Sequence, residues 1–210
     1  MAHQSNNSLL YVMAVAQEYG DQLRQRIKPF FTGVGPVEAG TLLAGELARR
    51  QVQDTLPDVV VSIGSAGSRT LEQTRVFQVA EVSYRDMDAS ALGFAKGVTP
   101  FLEMPATLSL PYRIDGLPTA RLSTGGTVVS GDGYADIDAD MVDMETFAHL
   151  RACQLFNVPL IGLRGISDGK DDLNHIDDWL EYLHVIDANL ARAVDRLESA
   201  LSNNQLKSRI

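Results

Sequence analysis

Residues 159–168 read PLIGLRGISD. The run is apolar until Gly165, Ser167 and Asp168 interrupt it, the pattern of a buried strand that delivers a carboxylate at its C-terminal edge. Open α/β sheets bind small molecules at that edge. Taken alone, an aspartate after a strand serves equally as a helix cap or turn former. The weight given to Asp168 therefore depends on what the other strand ends carry.

Working outward, Asp58–Ile63 (DVVVSI) is the clearest second strand, β-branched and closed by Gly64, Ser65, Ala66 and Gly67. Small residues there let a ligand or another backbone approach closely. Periodicity predicts further strands over Leu9–Ala16, Phe30–Gly33, Val76–Tyr84 and Arg121–Ser130. It predicts helices over Glu18–Ile27, Pro36–Arg50, Asp140–Phe156 and from Ile176 to about Ser202. The closing helix carries Trp179, Leu183, Ile186, Leu190, Val194, Leu197 and Leu201 at helical spacing, a stripe that reads as core. Arg85–Pro118 contains Pro100, Pro105, Pro111 and Pro118 and reads as loops and short strands. Alternating strands and helices predict an α/β fold with a largely parallel or mixed sheet flanked by helices. One domain over residues 9–203 is expected, between tails at 1–8 and 204–210.

Composition narrows the function. The 210 residues are 45% hydrophobic, enough for one substantial core, and the net charge of −9 argues against a nucleic-acid partner. No apolar run approaches the roughly 20 residues of a membrane span. Leu9–Ala16 (LLYVMAVA) resembles a signal-peptide core, yet no Lys or Arg precedes Arg24, so a buried strand and a cytoplasmic location are expected. The single cysteine, Cys153, excludes an internal disulfide and is expected to be a small buried side chain. His3, His149, His175 and His184 show no metal-ligand spacing, and neither metal nor cofactor is expected.

Glu145 is the most informative carboxylate. In a helix through MVDMETFAHL it falls beside the stripe Met141, Met144, Ala148, Ala152 and Leu155. It must there be paired, hydrogen-bonded or functional, unless it reaches solvent at the helix edge. Ser65 and Asp132 follow apolar strands as Asp168 does, so several polar groups would meet on one side of the sheet. TGVGPVEAG lacks GxGxxG spacing and follows the second strand, so it reads as helix-start chemistry. Ser130, in VVSGDG, is not in a nucleophile elbow.

Taken in order and spacing, VVVSIGSAGS, YRDMDASALGF, VVSGDGY and DMETFAHLRACQLFNVPLIGLRGISD resemble the 5'-methylthioadenosine/S-adenosylhomocysteine nucleosidases of the purine nucleoside phosphorylase superfamily. The resemblance runs from about Leu10 to Leu197. It implies a three-layer αβα, nucleoside phosphorylase-like fold around a mixed sheet, and hydrolysis of an adenine nucleoside. Asp168 would match the general acid, assisted by Ser167, in a strand end that includes Arg164. Glu145 would hold ribose hydroxyls beside Met144. Tyr134 would stack on the base, Ala135 would read its edge, and Ser65, Ala66 and Gly67 would border it. Glu18 is the counterpart of the family's water-holding glutamate after a one-residue adjustment, whereas an ungapped fit places Tyr19 there. A homodimer is implied, with Leu92 and Phe94 completing a neighbour's 5' pocket and Ile176 contributing from the same chain. Phosphorylases of this fold usually carry an arginine at the position of Ser62, so water is the expected nucleophile, with Arg69 and Arg85 as possible substitutes for a phosphate site. The alternatives are a phosphorylase and a non-catalytic nucleoside-binding protein.

Overall fold

The computed structural model describes residues 8–169, 175–203 and 206–208. The strand β1 (Leu9–Met13) is shorter than periodicity predicts, because the chain leaves the sheet for a single 3-10 turn at Ala16–Glu18. Then come α1 (Asp21–Arg24), β2 (Phe30–Phe31), α2 (Pro36–Val52) and β3 (Val59–Gly67). The small residues Gly64–Gly67, expected to close β3, belong to it. β4 (Val76–Tyr84) lies where predicted and is followed by β5 (Thr107–Ser109), β6 (Tyr112–Arg113) and β7 (Thr119–Thr124). β7 ends at Thr124 rather than Ser130. Asp86 and Arg85 pack against the next residue so closely that a Cβ on Gly125 would lie 2.5 Å from Asp86 Oδ1.

The predicted helix over Asp140–Phe156 is a strand followed by a shorter helix, β8 (Met141–Asp143) and α3 (Thr146–Leu155). The methionine spacing is genuine, but pairing wins locally: Met141–Asp143 lies parallel to Leu122–Thr124. The helix start is then capped from the strands. Thr146 N–H donates to Asp143 Oδ2 at 3.0 Å and Phe147 N–H to Thr124 Oγ1 at 3.0 Å. Leu155, placed in the inward stripe by sequence, is exposed. β9 (Leu160–Asp168) carries PLIGLRGISD. The predicted closing helix breaks at Glu181–Tyr182 into α4 (Ile176–Leu180) and α5 (Leu183–Ser202). β10 (Lys207–Ser208) pairs antiparallel with β6.

The eight-stranded sheet is mixed. β1 is parallel to β2 and β3, and β3 to β9; β9 is antiparallel to β4, which is parallel to β7. β8 follows β7 and meets β3 again at Gly67 and Val142, so the sheet curls around on itself. Side chains alternate across it. From β1, Leu10 and Val12 pack with Leu43 and Leu47 of α2 and Leu150 of α3; Tyr11 and Met13 pack with Leu23 of α1 and Leu190, Val194 and Leu197 of α5. Helices thus cover both faces, as a three-layer fold requires. Cys153 is buried in the first of these layers, with its thiol pKa pushed up to about 12 by burial.

Alternation within β9 has consequences for the site. Leu160 and Ile166 join the α2/α3 side and Ile161 and Leu163 the α5 side, so Arg164 projects under α3 and Gly165 faces α5. A Cβ on Gly165 would lie 2.4 Å from Ile186, so glycine is needed for α5 to pack down. The strand end is thereby held between both helical layers.

Candidate active site

A cavity of about 640 Å³ opens where β1, β3, β8 and β9 end. Its walls come from Ala14, Gln17 and Glu18 after β1, Ser65–Gly67 in β3, Met144 and Glu145 after β8, Ser167 and Asp168 in β9, and Ile176 and Trp179 in α4. Most of the site residues expected from sequence meet here. Of the two candidates at this position, Glu18 is buried on the cavity wall, while Tyr19 turns away, donating its hydroxyl to Ile27 O at 2.5 Å and meeting Phe31 edge-on.

Among the described residues, Glu18 is held by one, Ser65. Ser65 donates its backbone N–H at 2.7 Å and its hydroxyl at 2.6 Å, both to Glu18 Oε1. A Cβ on Gly64 would lie 3.0 Å from Oε2, so the neighbouring glycine makes room for the carboxylate. Burial raises the Glu18 pKa, and the Ser65 hydrogen bonds oppose that rise. The loop bearing Glu18 is anchored from α5, where Asp187 accepts N–H bonds from Gln22 at 2.8 Å and Leu23 at 3.1 Å.

Glu145 occupies the residue before α3 and accepts a hydrogen bond from Gly35 N–H at 3.0 Å. Gly33 and Gly35 both adopt positive φ, which lets the TGVGPVEAG turn aim this amide at the carboxylate. Burial, reinforced by the Asp143 charge, pushes the Glu145 pKa up to about 8. Asp168 ends β9, accepts the Ser167 hydroxyl, and has its pKa raised by burial. A Cβ on Gly67 would lie 2.8 Å from Asp168 Oδ2 and 2.4 Å from the Tyr134 hydroxyl, so this glycine lets both groups close in.

Beneath the cavity lies a different arrangement. Arg164 is 2% exposed and donates Nε–H and an Nη2–H to Asp143 Oδ2 at 3.1 and 3.0 Å, with Ser62 and Thr146 also accepting. Burial alone would raise the Asp143 pKa, but Arg164, Thr124 and Thr146 bring it below the usual carboxylate value. Ser62 also bonds His149 Nδ1 at 3.0 Å, and Thr32 bonds Nε2 at 2.9 Å. Burial beside Arg164 pushes the His149 pKa down to about 3, so the ring is neutral. Arg164 is thus a support of the site rather than part of its wall.

Tyr134 borders the cavity at Gly67 without lining it, and Ala135, Leu92 and Phe94 do not line it either. Tyr134 sits in the 3-10 segment Gly131–Asp136 with its hydroxyl buried against Gly67 and without a hydrogen-bond partner, while Ala135 and Asp132 are exposed. Leu92 is 75% exposed, and Phe94 stacks edge-on against Phe101; neither lines the cavity of its own chain. Arg85, weighed above for a phosphate site, and Trp179 are also on the wall. Arg85 reaches the cavity, but its terminal nitrogens donate to four carbonyls, Ser123, Asp143, Gly125 and Thr127. Trp179, read from its spacing as core, packs partly buried against that core and also covers the cavity, donating Nε1–H to Ser65 Oγ at 3.0 Å. Its four-residue spacing from Leu183 carried no sign of the helix break that reorients it.

With this geometry in place, known proteins offer a comparison. The profile of the phosphorylase superfamily matches residues 24–199. A 5'-methylthioadenosine/S-adenosylhomocysteine nucleosidase of Actinobacillus succinogenes is 32% identical over 67% of this chain and 66% of its own length. One of Haemophilus influenzae is 32% identical over 67% of each. The chain thus aligns with about two-thirds of the length of these relatives. A crystal structure of the Neisseria meningitidis nucleosidase, in complex with methylthio-immucillin-A, superposes with a TM-score of 0.75 at 23% identity, covering 92% of this chain and 99% of that one. The fold and the aligned sequence agree: this chain belongs to the phosphorylase superfamily and, within it, to the family of 5'-methylthioadenosine/S-adenosylhomocysteine nucleosidases.

Proposed function

We propose that the cavity hydrolyses the N-glycosidic bond of a 5'-modified adenine nucleoside, of the methylthioadenosine or adenosylhomocysteine type, to give adenine and a 5-substituted ribose. The bond breaks through an oxocarbenium-like sugar, so the base must be made a better leaving group. Asp168 carries that step: burial favours its protonated form, and it donates the proton to the purine. Glu18, loaded by Ser65 on one oxygen, orients the attacking water and accepts its proton. Glu145 holds the ribose hydroxyls, with Met144 against the sugar and Ser65, Ala66 and Gly67 along the base.

The observation that carries hydrolysis over phosphorolysis is the state of the arginines. Arg85, the one arginine or lysine among the described wall residues, has its terminal N–H groups committed to backbone carbonyls. Arg164 is buried against Asp143 below the cavity, and Ser62 stands between it and His149. A phosphate dianion would find no uncommitted arginine or lysine among the described wall residues, whereas water needs only Glu18.

A homodimer forms part of this reading. Leu92 and Phe94 lie outside their own cavity, which supports their serving a neighbour's 5' pocket opposite Ile176. Light scattering tests this: a monomer at micromolar concentration would remove it. The reaction is tested by incubation with methylthioadenosine, with and without phosphate. Adenine release is expected to be independent of phosphate, and a strict phosphate requirement would make the enzyme a phosphorylase. Asp168→Asn is expected to lower turnover by about 10²–10⁴-fold while nucleoside binding, read by calorimetry, is retained.

A further inference from the structure

Among the described residues, the contact least explained by the chemistry above is the one between α4 and β3. Trp179 Nε1–H donates to Ser65 Oγ at 3.0 Å, and Ser65 Oγ–H donates to Glu18 Oε1 at 2.6 Å. The direction of this chain is forced. An indole nitrogen only donates, so Ser65 Oγ must accept from it, and its single proton is then committed to Glu18. Hydrogen bonds in such a chain polarise one another. Trp179 belongs to a five-residue helix, broken from α5 at Glu181–Tyr182, and its ring is half-buried over the cavity.

We propose that Trp179 is a positioning residue for Glu18, acting through Ser65, so that the docking of α4 over the cavity sets the geometry and proton affinity of the water-holding carboxylate. The inference rests on the role given to Glu18 above. With the indole in place, the Ser65 hydroxyl has one orientation and supports the charged form of Glu18. Without it, the hydroxyl rotates freely and Glu18 keeps only the Ser65 backbone N–H as a fixed donor. The groups that face Glu18 from the surrounding elements are Arg164 of β9, which favours its charge, and Asp143 of β8 and Glu145 before α3, which disfavour it. Asp168 borders the same cavity, and His175 begins α4. None of these contacts is altered by replacing the indole with a phenyl ring.

Trp179→Phe keeps an aromatic wall and removes only the N–H. The variant is expected to lose turnover by up to about 3–10-fold at neutral pH, with the acidic limb of the kcat/KM profile moved up by about half to one pH unit. KM is expected to change less than about twofold, and the loss to shrink as pH rises. In a Ser65→Ala background the same change is expected to have no further effect. A loss that is independent of pH, carried by KM, or additive with Ser65→Ala would overturn the proposal and leave Trp179 as a wall. A second readout is independent of turnover. The chain has one tryptophan, so its emission reports this contact directly. Emission of the unliganded protein is expected to titrate with pH and to lose that titration in Glu18→Gln. Emission that is flat in the natural protein, or unchanged in Glu18→Gln, would sink the coupling even if adenine release is normal. If instead the natural protein releases no adenine while the titration is present, the functional reading fails and the coupling stands.

Discussion

Two kinds of carboxylate border the same cavity and behave in opposite ways. Asp143, at the floor of the cavity, is paired with Arg164 beneath it and accepts hydrogen bonds from Thr124 and Thr146, which bring its pKa down. Glu18, Glu145 and Asp168, on the cavity wall, have their pKa values raised by burial, and each accepts hydrogen bonds from a single residue among the described ones, Ser65, Gly35 and Ser167 respectively. The residue type is the same; the number of donors differs. A fully supported carboxylate is a structural anion, whereas a poorly supported one is poised to take up a proton or a ligand hydroxyl.

The sharpest way to break this contrast is to remove the structural anion. Asp143→Ala leaves Arg164 buried without its partner and is expected to cost about 3–5 kcal/mol by chemical denaturation. Replacing both residues, as Asp143→Leu with Arg164→Met, is expected to cost much less than the single change. Equal losses would mean that the pair contributes nothing as a pair.

Next in size is the exchange at the water end. Glu18→Gln is expected to lower adenine release at least about 100-fold while leaving the melting temperature unchanged or higher. Tyr19→Phe removes only the bond to Ile27 O, and is expected to cost about 1 kcal/mol of stability with turnover within about twofold. If the tyrosine change alone abolished turnover, Glu18 would lose the role assigned to it.

The smallest effect is a matter of pH. For Glu145 the folded-state pKa, about 8, lies above its ordinary 4.5, so the folded state prefers the protonated form. Its contribution to stability is therefore fully present below about pH 4.5 and is lost as pH rises through 8. Asp143, with a depressed value, has the opposite sign and stabilises above its ordinary 3.8. Glu145→Gln is expected to raise the melting temperature at pH 8 by about 2–4 °C and to change it little at pH 5, at the expense of ribose binding. A pH-independent effect would show that the Glu145 charge is not what burial opposes.

Much of this was legible along the chain. The strand at 159–168 was readable because β9 is buried on both faces and so is largely apolar, Arg164 and Ser167 apart, with its carboxylate where the apolar run stops. Glu145 was readable as a carboxylate in apolar company, although the helix imagined around it was not. Three residues, Met141–Asp143, were taken into the sheet by β7, a pairing partner about 20 residues away that local periodicity does not register.

What the sequence by itself determined is the alternation of apolar segments, hence three layers, and the carboxylates that end them, because burial and period are local properties of the chain. Tertiary structure decided the rest. The curl of the sheet brings β8 back to β3 at Gly67, placing Asp143 between the cavity and the buried Arg164. The break before α5 lets Trp179 pack against the core and still reach Ser65. The turn at Ala16–Glu18 chooses Glu18 over Tyr19. Each depends on which distant groups are available to complete a hydrogen bond or fill a space, and that is settled only when the segments pack.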